Sequence, residues 1–111
     1  MMEYVVQEGI TINEEKPYRI RLISVDEFDE YVRFTFDFVD EEIDQTISGV
    51  CKAKLAPGNR LHKWLSVFSG GNLEVGDSVN PEAYVGNTVE AVIKKRLKDG
   101  IEYLNVVDIV S

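Results

Sequence analysis

The sequence predicts a mainly β domain, a five-stranded Greek-key barrel with one amphipathic helix between its third and fourth strands. Three observations predict it. Strand-like segments at 18–25, 31–39 and 45–54 follow one another near the start of the chain. A single apolar stripe of helical period then occupies 59–69. Two further strand-like segments, 88–96 and 101–110, flank an Asp-Gly pair that signals a tight hairpin.

Each element has its own warrant. In the first strand Tyr18, Ile20 and Leu22 alternate with Arg19 and Arg21, the period of a half-buried strand. In the second, Val32, Phe34, Phe36 and Phe38 take one face and Tyr31, Arg33, Thr35 and Asp37 the other. Four successive apolar positions direct that face inwards. In the third, Ile47, Gly49 and Cys51 alternate with Ser48, Val50 and Lys52, and Gly49 suggests a bulge or sharp bend. Pro57-Gly58 stops this strand and Asn59 is placed to cap a helix. Leu61, Trp64, Leu65 and Phe68 then fall at i, i+3, i+4 and i+7, and Gly70-Gly71 supplies the left-handed stop. This stripe is expected to lie across one end of the barrel, with Trp64 and Phe68 in the core.

The connector that follows contains Asn80-Pro81, the signature of a short helical turn over 81–85. The fourth strand alternates Val89, Ala91 and Ile93 against Glu90, Val92 and Lys94. In the last strand two faces compete. Tyr103, Val107 and Ile109 stand against Leu104, Val106 and Val110, which predicts a bulge. Residues 1–17 read as a lead-in to a domain spanning 18–111. Three strands, a helix and a closing hairpin is the order of an OB-fold, whose second and third strands and neighbouring loops bind oligonucleotides and oligosaccharides.

Composition sets the boundaries. At 111 residues the chain has room for one core, and 44% hydrophobic with 29% charged content is that of a globular domain. No apolar run approaches the ~20 residues of a membrane helix, so no membrane partner is expected. Residues 1–10 carry Glu3 and Glu8 and no base, unlike a secretory signal. Cys51 is the single cysteine, which excludes an internal disulfide and fits a reducing cytoplasm.

The formal charge is -8, and it is local. Residues 26–44 hold nine acids against Arg33 alone, whereas the remainder holds eleven acids and eleven bases. Lys94, Lys95, Arg96 and Lys98 gather a third of all bases in five positions. The chain is bipolar rather than evenly acidic.

The strand order, the segment Leu55-Ala-Pro-Gly-Asn-Arg-Leu-His-Lys-Trp-Leu before Gly-Gly, and the hairpin Lys-Lys-Arg-Leu-Lys-Asp-Gly carry a resemblance. Over residues 18–110 the chain resembles single-stranded nucleic-acid-binding OB-fold proteins, especially small ones of phages and mobile elements. It ends Val-Asp-Ile-Val-Ser, without the flexible acidic tail of bacterial single-strand-binding proteins. The resemblance implies sequence-tolerant binding of single-stranded DNA or RNA, in DNA replication or recombination.

The residues themselves offer the two ingredients of such binding, cations for phosphates and aromatics for bases. The cations are Arg19, Arg21, Arg33 and Lys52 on outward strand faces and Lys94, Lys95, Arg96 and Lys98 at the hairpin. Tyr31 is the first stacking candidate and Tyr103 the second. A charged hairpin also serves simply as a solvated edge that resists aggregation. The competing reading is a protein-interaction module whose acidic loops, 26–30 and 40–44, bind a basic partner.

No catalytic activity is expected. His62 is the single histidine and reads as a surface residue. No Ser-His-Asp set assembles around it, and one Cys with one His cannot build a structural zinc site. Gly70-Gly71-Asn72 lacks the lysine and spacing of a phosphate loop. The acidic runs lack EF-hand spacing, so neither metal nor cofactor is expected.

Overall fold

A computed structural model describes residues 12–39, 45–71 and 73–111. The elements are β1 (Tyr18–Phe28), β2 (Tyr31–Phe38), β3 (Thr46–Lys52), α1 (Arg60–Ser69), a 3-10 turn (Pro81–Tyr84), β4 (Thr88–Lys98) and β5 (Ile101–Ile109). The five strands form one sheet that closes on itself in the order β1-β2-β3-β5-β4. All neighbours are antiparallel except β3 and β5, which meet in parallel at the single pair Ser48–Asn105.

β1 serves two neighbours. Tyr18–Arg21 pair with Ala91–Thr88 of β4, and Ile20–Phe28 pair with Phe38–Tyr31 of β2. The register of the second ladder slips between Leu22 and Ser24, leaving Ile23 unpaired in a bulge. Tyr18, Ile20 and Leu22 point inwards before the bulge and Val25 packs against the core after it. The strand runs on to Phe28, three residues beyond its expected end. Asp26 and Glu27 are therefore strand residues. Only Asp29 and Glu30 form the turn, with Asp29 in the left-handed region at φ 51°. The second acidic segment, 40–44, lies outside the described residues, as does most of the 1–17 lead-in. Ile12 from that lead-in is buried in the core, and the Asn13 amide donates to the Tyr18 hydroxyl at 2.8 Å.

The inward face of β2 is as expected: Val32, Phe34, Phe36 and Phe38 are buried. Gly49 is not at a bulge, because β2 and β3 keep register from Asp37–Thr46 to Tyr31–Lys52. It is small because Trp64 lies against it. A Cβ at residue 49 would collide with Trp64 Cη2 and stand 2.8 Å from Cζ3.

α1 buries Leu61, Trp64, Leu65 and Phe68. Asn59 caps it by accepting from the His62 amide at 2.9 Å, and Gly70 closes it at φ 77°. Trp64 meets Phe34 edge to face at 5.6 Å, and Phe68 stacks on Phe34, Phe36 and Tyr84. His62 is half-buried rather than a free surface residue. Its Nδ1 accepts from the Gly58 amide at 3.2 Å and its Nε2–H donates to the Leu73 carbonyl at 2.8 Å. It ties the chain on either side of the helix together.

The bulge expected in β5 falls at Val107. Ile93 pairs with Val106 and Val92 with Asp108, so Val107 has no partner. The inward set is consequently Leu104, Val106 and Ile109, drawn from both candidate faces. β4 continues to Lys98, and Asp99 and Gly100 make the turn with φ 53° and 76°. Among the described residues no helix is long and apolar enough to cross a membrane.

Candidate functional site

The outward face of the β1-β2-β3 ladder follows from the register. Phe28 stands opposite Tyr31, and Tyr31 opposite Lys52; Asp26 stands opposite Arg33, and Arg33 opposite Val50. The rings of Phe28 and Tyr31, 38% and 40% exposed, stack with centroids 5.9 Å apart and planes 29° from parallel. The Arg33 guanidinium lies 5.1 Å from the Phe28 centroid. Arg33 also grips Asp26, Nε to Oδ1 at 3.2 Å and Nη2 to Oδ2 at 2.7 Å, and this carboxylate pushes the Arg33 pKa up. Phe28 is the residue the sequence reading missed. The Ile23 bulge reverses the inward-outward parity of β1, and nothing local to Phe28 records that reversal.

Two depressions open on this surface. One, of about 310 Å³, is lined by Tyr31, Val50, Cys51, Lys52, Asn59, Arg60 and Leu61, where the end of β3 meets the first turn of α1. Arg60 donates to the Val50 carbonyl at 3.4 Å and its guanidinium lies 5.8 Å from the Trp64 ring. Cys51, on the floor, is buried, and burial pushes its thiol up to about 12 against an opposing pull from Arg60. The other depression, of about 420 Å³, runs between Asp26, Arg33 and Thr35 on one side and Ser48, Tyr103 and Asn105 on the other.

Tyr103 links this second groove to the hairpin. It stands opposite Arg96, and Asn105 opposite Lys94. By strand alternation Lys94, Arg96 and Lys98 share the outer face with Tyr103, and Lys95 takes the other face. There Lys95 Nζ pairs with Glu102 at 3.4 Å and its amide donates to Glu14 at 2.9 Å. The hairpin cluster is thus three cations on one face and one on the other.

The remaining candidates stand apart. Arg21 is bound to Asp37 at 2.6 Å, opposite it on β2. Arg19 lies opposite Glu90 of β4, nine strand positions and roughly 30 Å from Phe28. Tyr31, Arg33 and Lys52 are brought together, Tyr103 joins them through the groove, and Arg19 and Arg21 lie towards the β4 side. Lys52, Lys94, Arg96 and Lys98 form no ion pair with any described residue. Among the described residues no group of three His, Cys, Asp or Glu side chains is placed to hold a metal ion.

In comparisons with known proteins the chain matches no family model, no curated protein and no solved structure.

Proposed function

We propose that the domain is an OB-fold that binds single-stranded nucleic acid, without strong sequence preference, across the outward faces of β2, β3 and β5 and the β4-β5 hairpin. The observation that carries the reading is the Phe28–Tyr31 stack flanked by Lys52. It presents a part-exposed aromatic pair beside a cation that no described acid neutralises. Bases stack on aromatic side chains whatever their identity, whereas cations track the phosphates. Tyr103 between the groove and Lys94, Arg96 and Lys98 repeats the combination at the other end. The closed five-strand order β1-β2-β3-β5-β4, with one helix between β3 and β4, supports the OB-fold reading, in which the second and third strands carry the ligand.

A second reading draws on the acids. Asp26 occupies the fork of Arg33, and Asp37 accepts a single hydrogen bond from Nη2 of Arg21, so both guanidinium groups already have a carboxylate partner within the chain. This favours a protein partner with a basic surface, docking on Asp26, Glu27, Asp29 and Glu30.

One titration separates the two. A labelled oligothymidylate titrated with protein at 20 to 200 mM salt gives saturable binding with a log-log slope of about -3 if four cations, Lys52, Lys94, Arg96 and Lys98, each displace one counterion. No binding at 20 mM salt would transfer the case to the protein partner.

A further inference from the structure

We infer that the depression between Tyr31, Lys52 and Arg60 is a single-nucleotide subsite, which takes one base against Tyr31 and its flanking phosphates on Lys52 and Arg60. The inference rests on the single-strand reading and extends it from the edge of the strand face to the first turn of α1. Three features carry it.

The first is size and lining. A volume of about 310 Å³ lies at the lower end of the range for small-ligand pockets, enough for one planar base but not for a large ligand. Val50, Cys51 and Leu61 give it an apolar floor, and Cys51 and Leu61 are themselves buried.

The second is a fixed aromatic wall. Tyr31 is held by its stack on Phe28, so the ring meets a base without losing much further freedom. Lys52 stands directly across from it in the β2-β3 ladder, on the same outward face.

The third is charge. Asp26 and Asp37 are committed to Arg33 and Arg21, whereas Lys52 and Arg60 form no ion pair with any described residue. Arg60 is nonetheless oriented, by the Val50 carbonyl and the Trp64 ring. Two cations, Arg60 oriented and Lys52 unpaired among the described residues, beside an apolar, aromatic-walled cavity match the alternation of phosphate and base along a single strand. A strand seated here turns off the sheet at the end of β3 and passes the first turn of α1.

The test is Arg60→Gln, with Lys52→Gln and Tyr31→Leu beside it, in salt titrations with a twelve-residue oligothymidylate. Arg60 adds a fifth phosphate contact, which takes the wild-type slope to about -3.5; Arg60→Gln returns it to about -3 and weakens binding about five-fold at 0.1 M salt. Lys52→Gln does the same. Tyr31→Leu weakens binding at least about five-fold with the slope unchanged, because stacking releases no counterion. Amide spectra of the wild type with the oligomer show shifts at residues 50–52 and 59–61, and the free variants give wild-type spectra elsewhere, which verifies folding. If the wild type binds but Arg60→Gln keeps its slope and residues 59–61 do not shift, the subsite is wrong and the strand reading stands. If the wild type does not bind at all, both fall.

Discussion

Asp26 and Arg33 face each other across β1 and β2 and share two hydrogen bonds, so a carboxylate already sits where a phosphate would bind Arg33. Removing that carboxylate frees the guanidinium without removing the cation. We predict that Asp26→Asn tightens single-strand binding and steepens the salt slope by about 0.7, one further phosphate. Because both side chains are about half-exposed, the melting temperature should change little. A variant that binds no better would place Arg33 outside the contact surface.

The packing of Trp64 on Gly49 makes a separate prediction about stability. A methyl group at residue 49 has to displace a fully buried indole that also meets Phe34, the residue opposite Gly49 on β2, edge to face. Gly49→Ala should cost about 1–3 kcal/mol by overpacking, and Phe36→Ala about 3–5 kcal/mol by leaving a cavity. Urea unfolding curves measure both. Trp64 emission should be blue-shifted in the folded protein and hardly respond to added oligonucleotide, since the ring has no exposed surface.

Cys51 gives a prediction with a sign. Burial raises the thiol from 9.0 to about 12 in the folded chain, so the protonated form is favoured by folding. The associated stability is fully present below pH 9 and is lost as pH rises from 9 towards 12. In native protein at pH 8 the thiol should therefore resist alkylation, and react at once in denaturant. Fast reaction of the native protein would contradict the burial of β3 against α1.

The sequence made some of this legible and hid the rest for definite reasons. The β2 alternation, the Asn59 cap, the Leu61-Trp64-Leu65-Phe68 stripe and the Asp99-Gly100 turn each carry a local signal, and each is found as expected. Ile23 is different. It is a β-branched residue within a strand, indistinguishable by type from a paired one, yet it is the bulge that turns Phe28 outward beside Tyr31. Val107 hides the second bulge in the same way, although there the two competing faces betrayed that one existed. Gly49 carries a local signal that does not name its own cause, since close approach by Trp64 and a bulge call for the same residue. Charge neutralisation was invisible for a further reason. That Arg33 meets Asp26, Arg21 meets Asp37 and Lys95 meets Glu102 depends on cross-strand register, which periodicity does not set.

The division of the hairpin makes the next prediction. Lys94→Ala, Arg96→Ala and Lys98→Ala should each flatten the salt slope by about 0.7, because all three share the outer face with Tyr103. Lys95→Ala should leave the slope unchanged, as that side chain pairs with Glu102 on the other face. Equal effects from all four would mean that the strand wraps the hairpin tip rather than lying on one side of it.

The most direct test of the central claim is the salt dependence of wild-type binding to single-stranded and duplex DNA of the same length. The outward cations and stacked aromatics predict saturable binding of the single strand with a slope between about -3 and -3.5, hence a loss of roughly 60- to 130-fold between 50 and 200 mM salt. The duplex, whose bases cannot reach Tyr31 and Phe28, should bind more weakly at every salt concentration. Absence of single-strand binding at 20 mM salt, or equal affinity for duplex, would contradict it.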